Sequence, residues 1–246
     1  MADPKSFGAL PLIVSALALL VAGGTAGWTM ARGAPEAMDK AAVETVVHNY
    51  ILDHPEVLPQ AMENLRNKET GQQIAAAGDK LEEPFPGAVM GNPQGKVTLV
   101  EFTDFACTFC RASVADVEAL IAENPDLRVV VRELPIIAPT SPDAARLGLA
   151  AAEQGKYTAF HKAMFAAGRT DAASIEAAAR AAGLDLARAR TFIVDPRVNA
   201  ELAANLEHAR SLGINGTPTW IVGDQMLAGA VGKAALAKAI AESRAK

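Results

Sequence analysis

Cys107 and Cys110 are the only cysteines of the chain, and they share the tetrapeptide Cys107-Thr108-Phe109-Cys110. Thiols at that spacing can close a disulfide and open it again through a mixed disulfide with a second molecule. Such a bond encloses so short a loop that it constrains the unfolded chain little, so stability is a poor explanation for it. At the start of a helix, unpaired backbone N–H groups and the helix dipole stabilise a thiolate, which is the attacking form. That makes Cys107 the nucleophile. Cys110, one turn on, is the resolving thiol that attacks the mixed disulfide and releases the substrate. A structural zinc site wants four ligands, whereas the histidines are scattered at His48, His54, His161 and His208, so no metal site is expected. Haem attachment fails because Arg111, not histidine, follows the second cysteine. A copper(I) dithiolate stays open, since soft thiolates suit that ion.

The flanking sequence supplies the helix. Val97 to Thr103 is a β-branched, apolar run that reads as a buried strand, and Asp104-Phe105-Ala106 is the turn after it. A helix should begin near Cys107 and run through Val114, Val117, Leu120 and Ile121 to Asn124-Pro125. Leu127 to Leu134 is the next strand, which completes a βαβ unit with both cysteines at the start of its crossover helix. Residues 142–212 read as a series of helices punctuated by Gly155, Gly168, Gly183 and Asp195-Pro196. The β pattern returns at Thr219 to Val222 and at Gln225 to Leu227, followed by a helix from Lys233 to about Ser243. This order is an α/β, thioredoxin-like arrangement with an inserted helical domain at about 139–212, preceded by an N-terminal helical segment.

Three regions are expected along the chain: 1–32, 33–83 and 84–246. In the first, the uncharged run from Phe7 to Met30 would span roughly 36 Å as a helix, enough for a membrane anchor. A cleaved signal peptide is the rival reading, with small residues at Ala22-Gly23-Gly24 and Gly24-Thr25-Ala26. Either places the remainder outside the cytoplasm. In the second, Val43, Val46, Val47, Tyr50 and Ile51 share one helical face, which His54-Pro55 interrupts before Leu58, Ala61, Met62 and Leu65. That stripe needs cover, from the main domain or from another copy of the chain. A polar spacer from Asn67 to Lys80 follows, and Pro84-Phe85-Pro86 marks the start of the third region. Hydrophobic residues make up 50% of the chain and charged residues 21%, so disorder is excluded. A net charge of -5 gives none of the basic field that nucleic-acid binding needs, so no nucleic-acid partner is expected.

Val100-Glu101-Phe102-Thr103-Asp104-Phe105-Ala106-Cys107-Thr108-Phe109-Cys110 and the distant Gly213-Ile214-Asn215-Gly216-Thr217-Pro218-Thr219 resemble the two halves of a DsbA-like thiol:disulfide oxidoreductase site. The resemblance covers residues 84–244. The segment Asp53-His54-Pro55-Glu56-Val57-Leu58 further resembles the N-terminal helices of the suppressor-of-copper-sensitivity C type within that family. The resemblance implies a cis bond at Pro218, beside the cysteine pair, with the Thr217 backbone pairing to an extended substrate. It also implies a role for Glu101, whose burial in an apolar strand should raise its pKa and let it exchange the proton of Cys110. Two departures bear on the redox poise. Thr108-Phe109 lacks the proline and histidine of the strongly oxidising members, and Thr217 stands where those members carry valine. A less oxidising pair than that of DsbA follows.

The expected function is exchange of disulfides in exported proteins, in the periplasm, by Cys107, Cys110 and Glu101, with Thr217 and Pro218 holding substrate and no cofactor. Expected partners are cysteine-containing exported proteins, a membrane redox partner and a second copy of the chain. The alternative is a periplasmic copper-binding or copper-tolerance module using the same thiols.

Overall fold

The computed structural model describes residues 39–245. The expected anchor or signal at 7–30 lies outside the described residues. Among those described, no helix is long and apolar enough to cross a membrane. The chain divides into two compact units, residues 1–62 and Glu63–Lys246.

In the first unit, α1 (Lys40–Asp53) starts on Asp39, whose carboxylate accepts from Ala41 N at 3.3 Å. It stops at His54, because a residue before proline avoids the helical region. A second helix, α2 (Val57–Ala77), begins two residues past Pro55. Val46, Val47, Tyr50, Leu52, Leu58 and Met62 are all exposed. No residue of α1 is buried.

In the second unit, a single turn of 3-10 helix (Gly78–Leu81) leads to β1 (Val89–Gly91), β2 (Val97–Thr103), α3 (Thr108–Glu123) and β3 (Leu127–Glu133). Five helices follow: α4 (Ser141–Glu153), α5 (Tyr157–Ala167), α6 (Ala172–Ala181), α7 (Leu186–Phe192) and α8 (Pro196–Ser211). The chain then returns through β4 (Thr219–Val222), β5 (Gln225–Ala228) and α9 (Lys233–Arg244). The strands form one sheet in the order β1-β3-β2-β4-β5. Only β2 and β3 are parallel, joined by the α3 crossover. The short edge strand β1, antiparallel to β3, was not expected from the sequence; its three residues are too few to show an alternating pattern.

All seven residues of β2 are buried, so both faces of the central strand are covered. On one side Leu99, Val129, Val131 and Trp220 pack with Val117 and Leu120 of α3 and Leu236 and Ile240 of α9. On the other, Val100, Phe102, Val130 and Ile221 pack with Ile74, Leu81, Ala209 and Leu212. Packing therefore reaches back beyond Pro84: the stretch expected to be a polar spacer inserts Ile74 into the core, and Leu81 just after it follows. The guanidinium of buried Arg132 secures this end by donating to the carbonyls of Lys80, Leu81 and Glu83 and to Glu201 and Asn205. A third cluster joins the inserted helices to the cysteine loop: Phe105, Cys107 and Cys110 pack with Phe160, Met164 and Phe165 of α5 and with alanines of α4, α6 and α7. Alanine lets helices approach closely, which explains its recurrence in this half.

Candidate active site

Cys107 is the N-cap of α3, with φ -78° and ψ 122°, so the helix begins on the residue after it. Its sulfur takes the place of the usual capping oxygen and accepts from Cys110 N at 3.4 Å. The same Sγ donates to the carbonyl oxygen of Thr217 at 3.1 Å. Both cysteines are free thiols, and both are buried. Phe109 between them is 62% exposed, so an apolar ring faces solvent between the two thiols.

The strand ladder brings the two halves together. β2 and β4 are antiparallel with Phe102 opposite Thr219, so the end of β2 lies against the start of β4. Cys107 follows the first and Thr217 precedes the second. Upstream, Gly213 takes a left-handed φ of 68° to end α8, with Ile214 N donating to Ala209 O at 2.7 Å. Thr219 Oγ1 then bonds back to Gly216 O at 2.9 Å, and the Thr217–Pro218 peptide bond is cis.

Glu101 and Thr103 share one face of β2, since side chains alternate along a strand. Burial without a charged partner raises the Glu101 carboxyl to about 7, with the Thr103 hydroxyl opposing the shift. The Cys110 thiol is pushed far above the usual thiol range, first by burial. Thr217, Thr103 and the Asp104 backbone ease its thiolate, while negative charge on Glu101 opposes it. Cys110 therefore stays protonated until a base takes the proton, and the carboxyl beside it changes protonation near neutrality. The structure thus gathers all five residues singled out in the sequence at one end of β2 and β4.

Sequence reasoning missed three residues around them. Asp104, read only as part of a turn, is buried and accepts four hydrogen bonds. Its Oδ1 takes Ala106 N at 2.8 Å and Ser141 Oγ at 2.7 Å, and its Oδ2 takes Ile136 N and Ile137 N, each at 2.8 Å. It ties the cysteine loop to the 134–141 loop and to the start of α4. Glu133 and Tyr157 form the other missed pair, with the phenol donating to Glu133 Oε1 at 2.7 Å inside the protein. The signal for Glu133 was a carboxylate in an apolar β run, as for Glu101, though Glu133 ends its strand and Glu101 lies within its own.

With this geometry in view, residues 98–241 match the DSBA-like thioredoxin domain family, and residues 39–72 match the copper resistance protein ScsC N-terminal domain family. A thioredoxin-like oxidoreductase from Silicibacter pomeroyi is 38% identical with a TM-score of 0.66, covering 69% of this chain and 98% of that one. ScsC of Proteus mirabilis, in a transitional conformation, is 28% identical with a TM-score of 0.65, covering 84% and 97%. A curated relative, the Na(+)/H(+) antiporter NhaA 1 of Salinispora arenicola, is 30% identical over 161 residues, which are 64% of this chain and 25% of that protein. The chain spans about a quarter of the length of the curated relatives it matches.

Proposed function

The chain belongs to the DSBA-like thioredoxin domain family, and from that premise we propose that it exchanges disulfides in exported proteins, in the periplasm, through Cys107 and Cys110. The observation that carries the reading is the Cys107 sulfur held between Cys110 N and the Thr217 carbonyl, at the N-terminus of α3. In the reducing direction, the Cys107 thiolate attacks a substrate disulfide. A bond forms between Cys107 and one substrate sulfur, and the other sulfur leaves as a thiolate. Cys110 then gives its proton to Glu101 and attacks Cys107, which breaks the mixed disulfide and releases the second substrate thiolate. Two electrons have passed to the substrate, and the pair is left as a disulfide. The same steps reversed oxidise a substrate dithiol.

The backbone of Thr217 and Pro218, beside Cys107, offers an edge along which an extended substrate segment can lie. Exposed Phe109 adds apolar contact at the mouth. A membrane redox partner sets the direction by keeping the pair oxidised or reduced. The uncharged run at 7–30 serves export. The experiment is an assay of insulin reduction and of scrambled-disulfide repair, with Cys107→Ser as control. Loss of both activities in the variant supports the proposal, and retention of either defeats it.

The exposed apolar residues of 41–66 further support self-association, since burying each such side chain is worth about 1.5 to 3 kcal/mol. A second reading rests on the match of residues 39–72 to a copper resistance family. In it the two sulfurs of Cys107 and Cys110 hold copper(I) as cargo, a fit to soft thiolates. A copper(I) titration of the reduced protein, with saturation at one ion per pair that disappears in Cys107→Ser, would establish it.

A further inference from the structure

Thr103 is the last residue of β2 and is wholly buried, and its side chain projects with that of Glu101, two positions earlier on the strand. Its backbone carbonyl accepts from Leu134 N at 2.8 Å, whereas its hydroxyl oxygen is buried without a formed hydrogen bond. Two groups face that hydroxyl. One is the Glu101 carboxyl, whose ionised form the Thr103 O–H favours, and the other is the Cys110 thiol, whose thiolate it favours. Neither contact is yet a formed bond, as catalytic contacts often are not before the reactants align. Thr217 Oγ1 is buried and unbonded in the same way, and it too faces Cys110. Only Thr103 also acts on the carboxyl, since burial and Thr103 are the two influences on Glu101. Glu101 Oε2 is itself buried without a hydrogen bond, so a lone pair is open to the incoming proton. Thr103 is thus in reach of both the thiol that must lose a proton and the carboxyl that receives it.

We propose that the Thr103 hydroxyl relays the proton of Cys110 to Glu101 while the mixed disulfide is resolved. A hydroxyl suits the task, because it accepts through a lone pair while it donates its own proton. The Cys110 S–H proton passes to Thr103 Oγ1 as the Thr103 proton passes to the Glu101 carboxylate. The electron pair left on Cys110 forms the bond to Cys107, and the substrate sulfur departs with the electrons of the broken bond. Thr103 ends as it began, one proton exchanged for another, and Glu101 ends protonated. Both transfers accompany the attack, so no free thiolate accumulates where burial opposes it. The Thr217 hydroxyl donates to the sulfur as charge develops there. The proposal rests on Glu101 as proton acceptor, and it makes Thr103 a catalytic residue of the resolving step only. The first attack belongs to Cys107, whose sulfur is held by Cys110 N and Thr217 O.

The test mixes the reduced full chain with glutathione disulfide and quenches with acid, so that mass spectrometry separates formation of the Cys107 adduct from its decay. Thr103→Val and Thr103→Ala both delete the hydroxyl, the first at nearly constant volume. Adduct formation should keep its wild-type rate, while decay should slow by about a hundredfold, the lower end of what general acid–base catalysis contributes. Thr103→Ser keeps a hydroxyl and should restore most of the rate. The hydroxyl has no formed hydrogen bond to forfeit, so Thr103→Val should resist urea at least as well as the wild type, which separates a slowed step from a damaged fold. Decay at the wild-type rate in the valine and alanine variants overturns the relay, and so does a serine variant as slow as they are. Glu101→Gln tests the premise by itself. Wild-type decay in that variant removes the proton acceptor, whereas slow decay there beside fast decay in Thr103→Val means that the proton passes directly and the relay fails alone.

Discussion

Glu101 stands directly opposite Trp220 in the β2–β4 ladder, so the largest fully buried side chain of the described residues flanks a carboxyl that lies inside the protein. The indole satisfies its own N–H on Gly229 O at 3.0 Å and offers the carboxyl nothing but an apolar wall. Glu101 is thereby kept neutral up to about pH 7, where an acid is useful to a thiol.

This arrangement has a cost that pH reveals. The folded state holds the Glu101 proton up to about pH 7 while the unfolded chain releases it near 4.5. Between those values the native state binds more protons, so stability falls as pH rises through the window, by about 1.4 kcal/mol per pH unit. Glu101→Gln removes the effect. Urea unfolding of both proteins at pH 5 and pH 8 should show the variant gaining about 3 kcal/mol on the wild type between the two. A constant difference would mean that Glu101 is solvated or paired.

Asp104 should be the most damaging single change near the cysteine loop that leaves both sulfurs in place. Asp104→Ala strands the N–H groups of Ala106 and Ile137 and the Ser141 hydroxyl, and leaves Ile136 N with Leu134 O alone. An unsatisfied buried donor costs about 1 to 3 kcal/mol, and Ala106 N and the Ser141 hydroxyl lie deepest, so denaturant titration should show a loss of at least about 2 kcal/mol. Thiol exchange should slow as well, since the loop carrying Cys107 loses its tie to α4. Wild-type stability in this variant would contradict the hydrogen-bond pattern.

Gly148 tests the packing around Glu133. A methyl there would lie 2.9 Å from Glu133 Oε1 and 3.2 Å from the Phe105 ring. Neither neighbour is free to retreat, because Tyr157 pins the carboxyl and Phe105 packs against Phe160 and Phe165. Thermal unfolding of Gly148→Ala should register a loss of about 1 to 3 kcal/mol, despite the better helix propensity of alanine.

The main strands and the cysteine helix were legible in the sequence. Val97–Thr103 has the β-branched density of a buried strand, and the expected start of a helix near Cys107 is met at Thr108. What escaped depends on contacts between distant residues. Nothing local marks Asp104 as the acceptor for two amides more than thirty residues away. The burial of Ile74 and Leu81 was hidden for a similar reason: polar neighbours dominate the stretch, while two well-placed apolar side chains decide its packing. Glu133 could be noticed as a carboxylate in an apolar β run, but its place beside Thr103 emerges only from the β2–β3 register.

Self-association through 41–66 predicts a difference between two chains, one starting at residue 33 and one at Glu63. The second start keeps Ile74 and Leu81, which the core requires. Light scattering should find the longer chain oligomeric and the shorter one monomeric. A monomer in both would leave the exposed Val46, Val47, Tyr50 and Leu58 without that role.

The central claim is that Cys107 attacks and Cys110 resolves. Its most direct measurement is trapping: Cys110→Ser is mixed with a disulfide-bonded peptide, and the adduct is mapped by mass spectrometry, with Cys107→Ser treated in the same way. The geometry predicts a persistent peptide adduct on Cys107 in the first protein and none in the second, because the Cys110 thiol is buried and held protonated. An adduct forming readily on Cys110, or none on Cys107, would contradict the account.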